Sequence, residues 1–105
     1  MRLVLAISIG MNKDEAHSIL SQCLRGYRSL SREELAVRVS EGRVETKEVV
    51  SSSGTKYQVE VQFVWDAKPN GDVRVIVSVD DGGISALLPV TDSFILGSDW
   101  RFVGE

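Results

Sequence analysis

Tyr57-Gln58-Val59-Glu60-Val61-Gln62-Phe63-Val64-Trp65-Asp66 and Val73-Arg74-Val75-Ile76-Val77-Ser78-Val79-Asp80-Asp81, joined by Ala67-Lys68-Pro69-Asn70-Gly71-Asp72, decide the fold. Tyr57, Val59, Val61, Phe63 and Trp65 share one parity and Gln58, Glu60, Gln62 and Asp66 the other, so an extended chain sends them to opposite faces. In the second stretch Val73, Val75, Val77 and Val79 are the apolar parity, and Ile76 interrupts the polar one. The connection holds Pro69, which fixes its own φ, and Asn70-Gly71, which tolerate the positive φ of a hairpin turn. The prediction is a β-hairpin at the centre of an antiparallel sheet.

Working outward, Asn12 followed by Glu15 is a capping-box spacing that starts a helix. Ala16, Ile19, Leu20, Cys23, Leu24 and Tyr27 then recur at steps of three and four, a stripe that must lie against the sheet. The helix is expected over residues 12–29. Ser31 and Glu34 repeat the capping spacing and predict a single extra turn. From Val37 to Val50 the apolar parity changes phase, which reads as an edge strand with a bulge at Gly42 or near Lys47 to Val50. Ser51-Ser52-Ser53-Gly54 and Asp80-Asp81-Gly82-Gly83 are turns, and Ala86 to Leu96 is a last strand that Pro89 confines to an edge. The sheet is thus expected over residues 36–97, with residues 98–105 as a tail.

Residues 1–11 carry Arg2 and then a short apolar run, expected as an arm or short edge strand. The run resembles the front of a secretory signal, but no small-x-small cleavage pattern precedes Lys13-Asp14-Glu15. Met11 as the natural start is a further alternative.

The expected fold class is α+β: one N-terminal helix packed on a four-stranded antiparallel meander, order 1-2-3-4, as a single domain over residues 1–105. This helix-then-meander order resembles the cystatin-like arrangement. The chain also resembles small bacterial α+β proteins whose tails are like Asp92-Ser93-Phe94-Ile95-Leu96-Gly97-Ser98-Asp99-Trp100-Arg101-Phe102-Val103-Gly104-Glu105. Neither resemblance brings catalytic residues with it, and the Gln-x-Val-x-Gly inhibitory loop of the cystatins is absent from this sequence.

Composition narrows the function classes. The 105 residues are 43% hydrophobic and 26% charged, the make-up of one ordinary globular domain. With Cys23 the only cysteine and His17 the only histidine, neither an internal disulfide nor a Cys/His zinc site can be built. A reducing, cytoplasmic setting is expected. The net charge is −3, and residues 54–105 carry four Lys/Arg against eight Asp/Glu. That balance argues against nucleic acid as a partner, and no apolar run is long enough for a membrane helix.

Each candidate site residue has an ordinary reading beside a functional one. His17 borders the apolar stripe, and Cys23 lies within it as a small hydrophobe. Asp66, Asp72, Asp80 and Asp81 suit turn chemistry better than a calcium loop, and Gly82-Gly83 lacks the lysine of a phosphate loop. No cofactor or metal is therefore expected. Arg25, Arg28 and Arg32 cluster where cations complement a helix C-terminus, or would meet an acidic partner. Trp65 is expected in the core and Trp100 as an interface anchor. Val64 and Ile76, with Val49 or Val50, place apolar side chains on the sheet face away from the helix, where a purely solvated surface needs none. The expectation is a non-enzymatic interaction domain that binds another protein or itself as a homodimer. The alternative is a ligand or enzymatic pocket between helix and sheet, using His17 and Tyr27.

Overall fold

The computed structural model describes residues 12–83 and 88–105. The arm expected at residues 1–11 and the opening of the last strand at Ala86 lie outside them. Two helices, α1 (Lys13–Arg28) and α2 (Arg32–Ser40), precede four strands, β1 (Val44–Val50), β2 (Lys56–Trp65), β3 (Val73–Asp80) and β4 (Val90–Leu96). The strands form one antiparallel sheet in the order β1-β2-β3-β4, the meander predicted from the sequence.

The central hairpin closes as its pattern requires. Trp65 pairs with Val73 and Val59 with Val79, so the apolar parities of β2 and β3 coincide on one face. Tyr57, Val59, Val61, Phe63, Val73, Val75, Val77 and Val79 are all buried there. In the turn Asn70 alone takes the left-handed conformation, at φ 65°. Asp66 N–H donates to the Asp72 carbonyl at 2.8 Å and shuts the loop.

Helix α1 starts at the Asn12 side chain, which accepts from Glu15 N–H at 3.1 Å. Its stripe of Ala16, Ile19, Leu20, Cys23 and Leu24 is buried against the sheet. Burying this apolar stripe is the main source of the helix's stability, since isolated helices of this length are marginal in water.

The second helix departs from the sequence reading. Residues 36–40, expected as sheet, are helical, and the single extra turn is a nine-residue helix. Ser31 caps it by accepting from Glu34 N–H at 3.1 Å, and Glu33 and Glu34 sit favourably in its first turn. Gly42, read as a bulge, instead ends this helix at φ 63°. Gly42 N–H donates to Val39 O and Arg43 N–H to Arg38 O, the paired bonds of a Schellman stop. The phase change in the apolar pattern is therefore a change of element. Strand β1 pairs with β2 residue for residue from Val44 to Val50, with no bulge. Leu35 is the one buried residue of α2, Val39 packs at the core margin and Val37 faces solvent.

Candidate interaction site

Both helices lie on one face of the sheet, and the register fixes what the other face presents. Its cross-strand rows are Val64–Arg74–Ile95, Val44–Gln62–Ile76–Ser93 and Thr46–Glu60–Ser78–Thr91. Val64, Ile76, Ile95 and Val44 thus gather toward one end of the helix-free face, and Val64 is 39% exposed. Val50 belongs to this face at the far end, while Val49 points to the helix side and packs at the core margin. Toward the far end the face becomes polar. A shallow depression of about 310 Å³ there is lined by Thr46, Gln58, Glu60, Ser78 and Asp80. Arg74 lies within the apolar end, between Val64 and Ile95, held by Asp66 at 2.8 Å and by the Ser93 hydroxyl at 2.9 Å.

On the helix side, β1 is only half covered. A trough runs between α1 and β1 as two adjoining hollows that share Gln22. One, of about 260 Å³, is lined by Glu15, Ser18, Ile19 and Val49 to Ser52. The other, of about 330 Å³, is lined by Cys23, Tyr27, Leu30, Arg38, Glu45 and Lys47. At its floor the Tyr27 hydroxyl donates to Glu45 at 2.5 Å, and Arg38 Nε donates to the second Glu45 oxygen at 3.1 Å. Burial and the Glu45 carboxylate both push the Tyr27 phenol well above its ordinary value. Burial works upward on Glu45 as well, but the bonds from Tyr27 and Arg38 outweigh it and hold the carboxyl below its usual range. At the other end Tyr57, fully buried, donates to Glu15 at 2.8 Å, and burial with that bond pushes its phenol up to about 12.

His17 and Tyr27, paired in the pocket reading, stand ten residues apart on α1, about 15 Å along its axis. Tyr27 lines the trough; His17 is exposed on the helix and is absent from the trough lining. The three arginines also separate. Arg25 faces solvent. Arg28 lies over the rings of Phe94 and Phe102, at 5.1 and 4.7 Å from their centroids, and its guanidinium clasps Glu105 with two bonds. Arg32 donates to the carbonyls of Asn70 and Gly71, pinning the central turn to the start of α2. Two of the three cations are thus engaged within the fold. The aspartates are engaged too. Asp80 and Asp81 accept from Gly82 and Gly83 N–H, Asp72 accepts from Ser98 N–H, and Asp66 pairs with Arg74.

Trp65 is half-buried at the core margin, and Trp100 is 57% exposed with its backbone at φ 70°. That conformation is strained for a non-glycine residue. It is held by Trp100 N–H on the Gly97 carbonyl and by Gly97 N–H on the Arg101 carbonyl. The indole is therefore presented from a fixed turn. Sequence reasoning missed Val44 and Ile95 because their face depends on register, and missed the Tyr27–Glu45–Arg38 cluster because its members come from three elements. Among the described residues no helix is long and apolar enough to cross a membrane, and no three His, Cys, Asp or Glu side chains gather as a metal group. Compared with family models, curated proteins and solved structures, the chain matches none.

Proposed function

We propose that this chain is a non-enzymatic interaction domain that associates with a second copy of itself through its sheet. The observation that carries the reading is a sheet left uncovered by the described residues in two places, along the outer edge of β1 and on its helix-free side, where Val44, Val64, Ile76 and Ile95 stand exposed or half-exposed among polar neighbours. Four strands of about eight residues give that face a footprint of about 20 by 27 Å, hence about 1,000 Å² across two copies. This is the low end for a specific interface, so the association is weak and concentration-dependent. The single cysteine, Cys23, is buried and free, which suits a reducing, cytoplasmic setting. The cystatin-like order of elements adds nothing toward protease inhibition, because the loop that would carry it is absent from the sequence.

Size-exclusion chromatography with light scattering, run from about 1 to about 200 μM, tests this reading. A mass rising toward twice that of the monomer is expected, and a strict monomer throughout refutes self-association. A second reading, a small-ligand pocket, draws on the trough that Cys23, Tyr27, Leu30, Glu45 and Lys47 line. It predicts that a compound seated there protects Cys23 from thiol reagents.

A further inference from the structure

The two edges of the sheet are treated differently. The main-chain groups of Thr91, Ser93, Ile95 and Gly97 point away from β3, because Val103 N–H reaches the Ile95 carbonyl at 2.8 Å and Gly97 N–H reaches the Arg101 carbonyl at 2.7 Å. Phe102 bridges Leu96 in antiparallel fashion, so the tail forms a short strand along this end of β4. Higher up, Ser93 N–H donates to the Asp92 carboxylate at 2.8 Å. The β4 edge is therefore blocked twice, once by the tail that Arg28 holds and once by a side chain. Among the described residues β1 has no such cover.

The polarity of the β1 edge follows from its hairpin. Ser51 N–H donates to the Thr55 carbonyl at 2.9 Å, so Ser51 and, by alternation, Val49, Lys47 and Glu45 turn their main-chain groups toward β2. Val44, Thr46, Glu48 and Val50 turn theirs outward. Two copies related by a two-fold axis through the edge would pair these strands antiparallel, and the charges select the register. Centring on Glu45, Lys47 or Glu48 sets a like-charged residue against itself. Centring on Thr46 sets Glu45 against Lys47 of the second copy twice, Thr46 against Thr46, and Val44 against Glu48. That register also brings the outward groups of Val44, Thr46 and Glu48 face to face, for about six main-chain hydrogen bonds.

We infer that the second copy docks on the β1 edge with Thr46 on the two-fold axis, joining the two sheets into one of eight strands. This rests on the self-association proposed above and places its contact at the β1 edge, leaving the helix-free face outside it. The two troughs then face each other across the shared β1 strands, so the site they form is completed only by the partner.

The test uses the full chain in a Cys23→Ala background with Thr46→Cys added. Opposed residues of an antiparallel pair lie about 5.5 Å apart at Cα, within disulfide reach, so mild oxidation is expected to give a covalent dimer. In the wild-type chain, Lys47→Glu turns both cross-strand pairs repulsive and should weaken dimerisation about tenfold or more, whereas Val64→Lys on the helix-free face should leave it unchanged. Lys47 is exposed in the monomer, so the first change does not threaten folding. A dimer sensitive to Val64→Lys but not to Lys47→Glu, or one in which Thr46→Cys fails to cross-link, overturns the edge contact and leaves self-association standing. A strict monomer removes both. So does a monomer whose Thr46 and Glu48 amides are already protected from hydrogen exchange, since something else then covers the edge.

Discussion

Truncating α2 at two neighbouring valine or leucine positions distinguishes a helix from a strand at residues 36–40. In an extended chain Leu35, Val37 and Val39 share a parity and would all face the core, so each truncation would be costly. In a helix Leu35 and Val39 lie one turn apart on one face and Val37 points elsewhere. The structure puts Leu35 at 0% and Val37 at 51% exposure. Leu35→Ala removes a fully buried side chain from a position lined by the core, at about 3 kcal/mol within the usual span of about 2 to 5. Val37→Ala removes little buried area and exchanges a β-branched residue for the best helix former, so its expected effect is neutral to stabilising by about half a kcal/mol. Urea unfolding followed by circular dichroism reads both. With a slope of about 1 to 1.5 kcal/mol per molar for a chain of this size, Leu35→Ala should lower the midpoint by about 2 to 3 M, and Val37→Ala should leave it within about 0.5 M. A Val37→Ala loss comparable to that of Leu35→Ala would refute the helical assignment, and with it the account of Gly42 as a helix stop.

Gly42→Val should destabilise by about 1 to 2 kcal/mol in thermal unfolding, from backbone strain alone, because a Cβ there meets nothing within 4 Å; Gly42→Asn should recover much of the loss. Tyr57, raised to about 12, contributes stability that is fully present below its unfolded value of 10 and is lost as pH rises toward 12. Tyr27 shifts the same way, so absorbance at the tyrosinate band should stay flat past the ordinary value and rise only with unfolding. Glu45 has the opposite sign. Its lowered carboxyl contributes stability above the unfolded value of 4.5 that is lost as pH falls through the folded one, and Tyr27→Phe should flatten that acid limb. Arg28→Lys keeps the charge but loses the planar fork and the stacking on Phe94 and Phe102. Hydrogen exchange at Val103 and Gly97 should accelerate while exchange in β2 and β3 is unchanged.

The parts of the fold legible in the sequence are those whose signal is local. Period-two alternation around Asn70-Gly71 set the register of β2 and β3, and Asn12 with Glu15 marked where α1 begins. Helix α2 was under-read because Leu35, Val37 and Val39 imitate a strand. The stronger cue was the run of Glu33-Glu34 near the start, Arg38 near the end and Gly42 just beyond, which is punctuation for a helix of nine residues. The partners of Arg28 and Arg32 were not legible at all. Glu105 lies 77 residues from Arg28, and the Asn70 carbonyl 38 residues from Arg32. A cation next to a helix end looks the same in sequence whether it serves the dipole or reaches across the molecule. Val64 and Ile76 were legible because they break a parity, whereas Ile95 and Val44 join them only through a register that spans four strands.

Edge protection and edge selectivity draw on the same residues in β1. A strand of Glu45, Lys47 and Glu48 discourages pairing with an arbitrary apolar partner, because each charge would have to be desolvated against a side chain that offers it nothing. The spacing that excludes strangers is self-complementary in one register only, since a glutamate two residues before a lysine is matched by its own reverse. Edge β4 lacks such a code. Its Ser93 and Ile95 groups would accept any extended chain, and there the fold supplies Asp92 and the tail held by Arg28. Releasing that tail, as Arg28→Ala should, therefore exposes an edge without a register. The expected product is polydisperse, salt-insensitive aggregation, whereas the pairing proposed through β1 would give a discrete dimer that weakens with salt. Light scattering at low and high ionic strength separates the two, and a discrete, salt-sensitive dimer as the sole product of Arg28→Ala would show that the Arg28 contact is not what keeps the β4 edge closed.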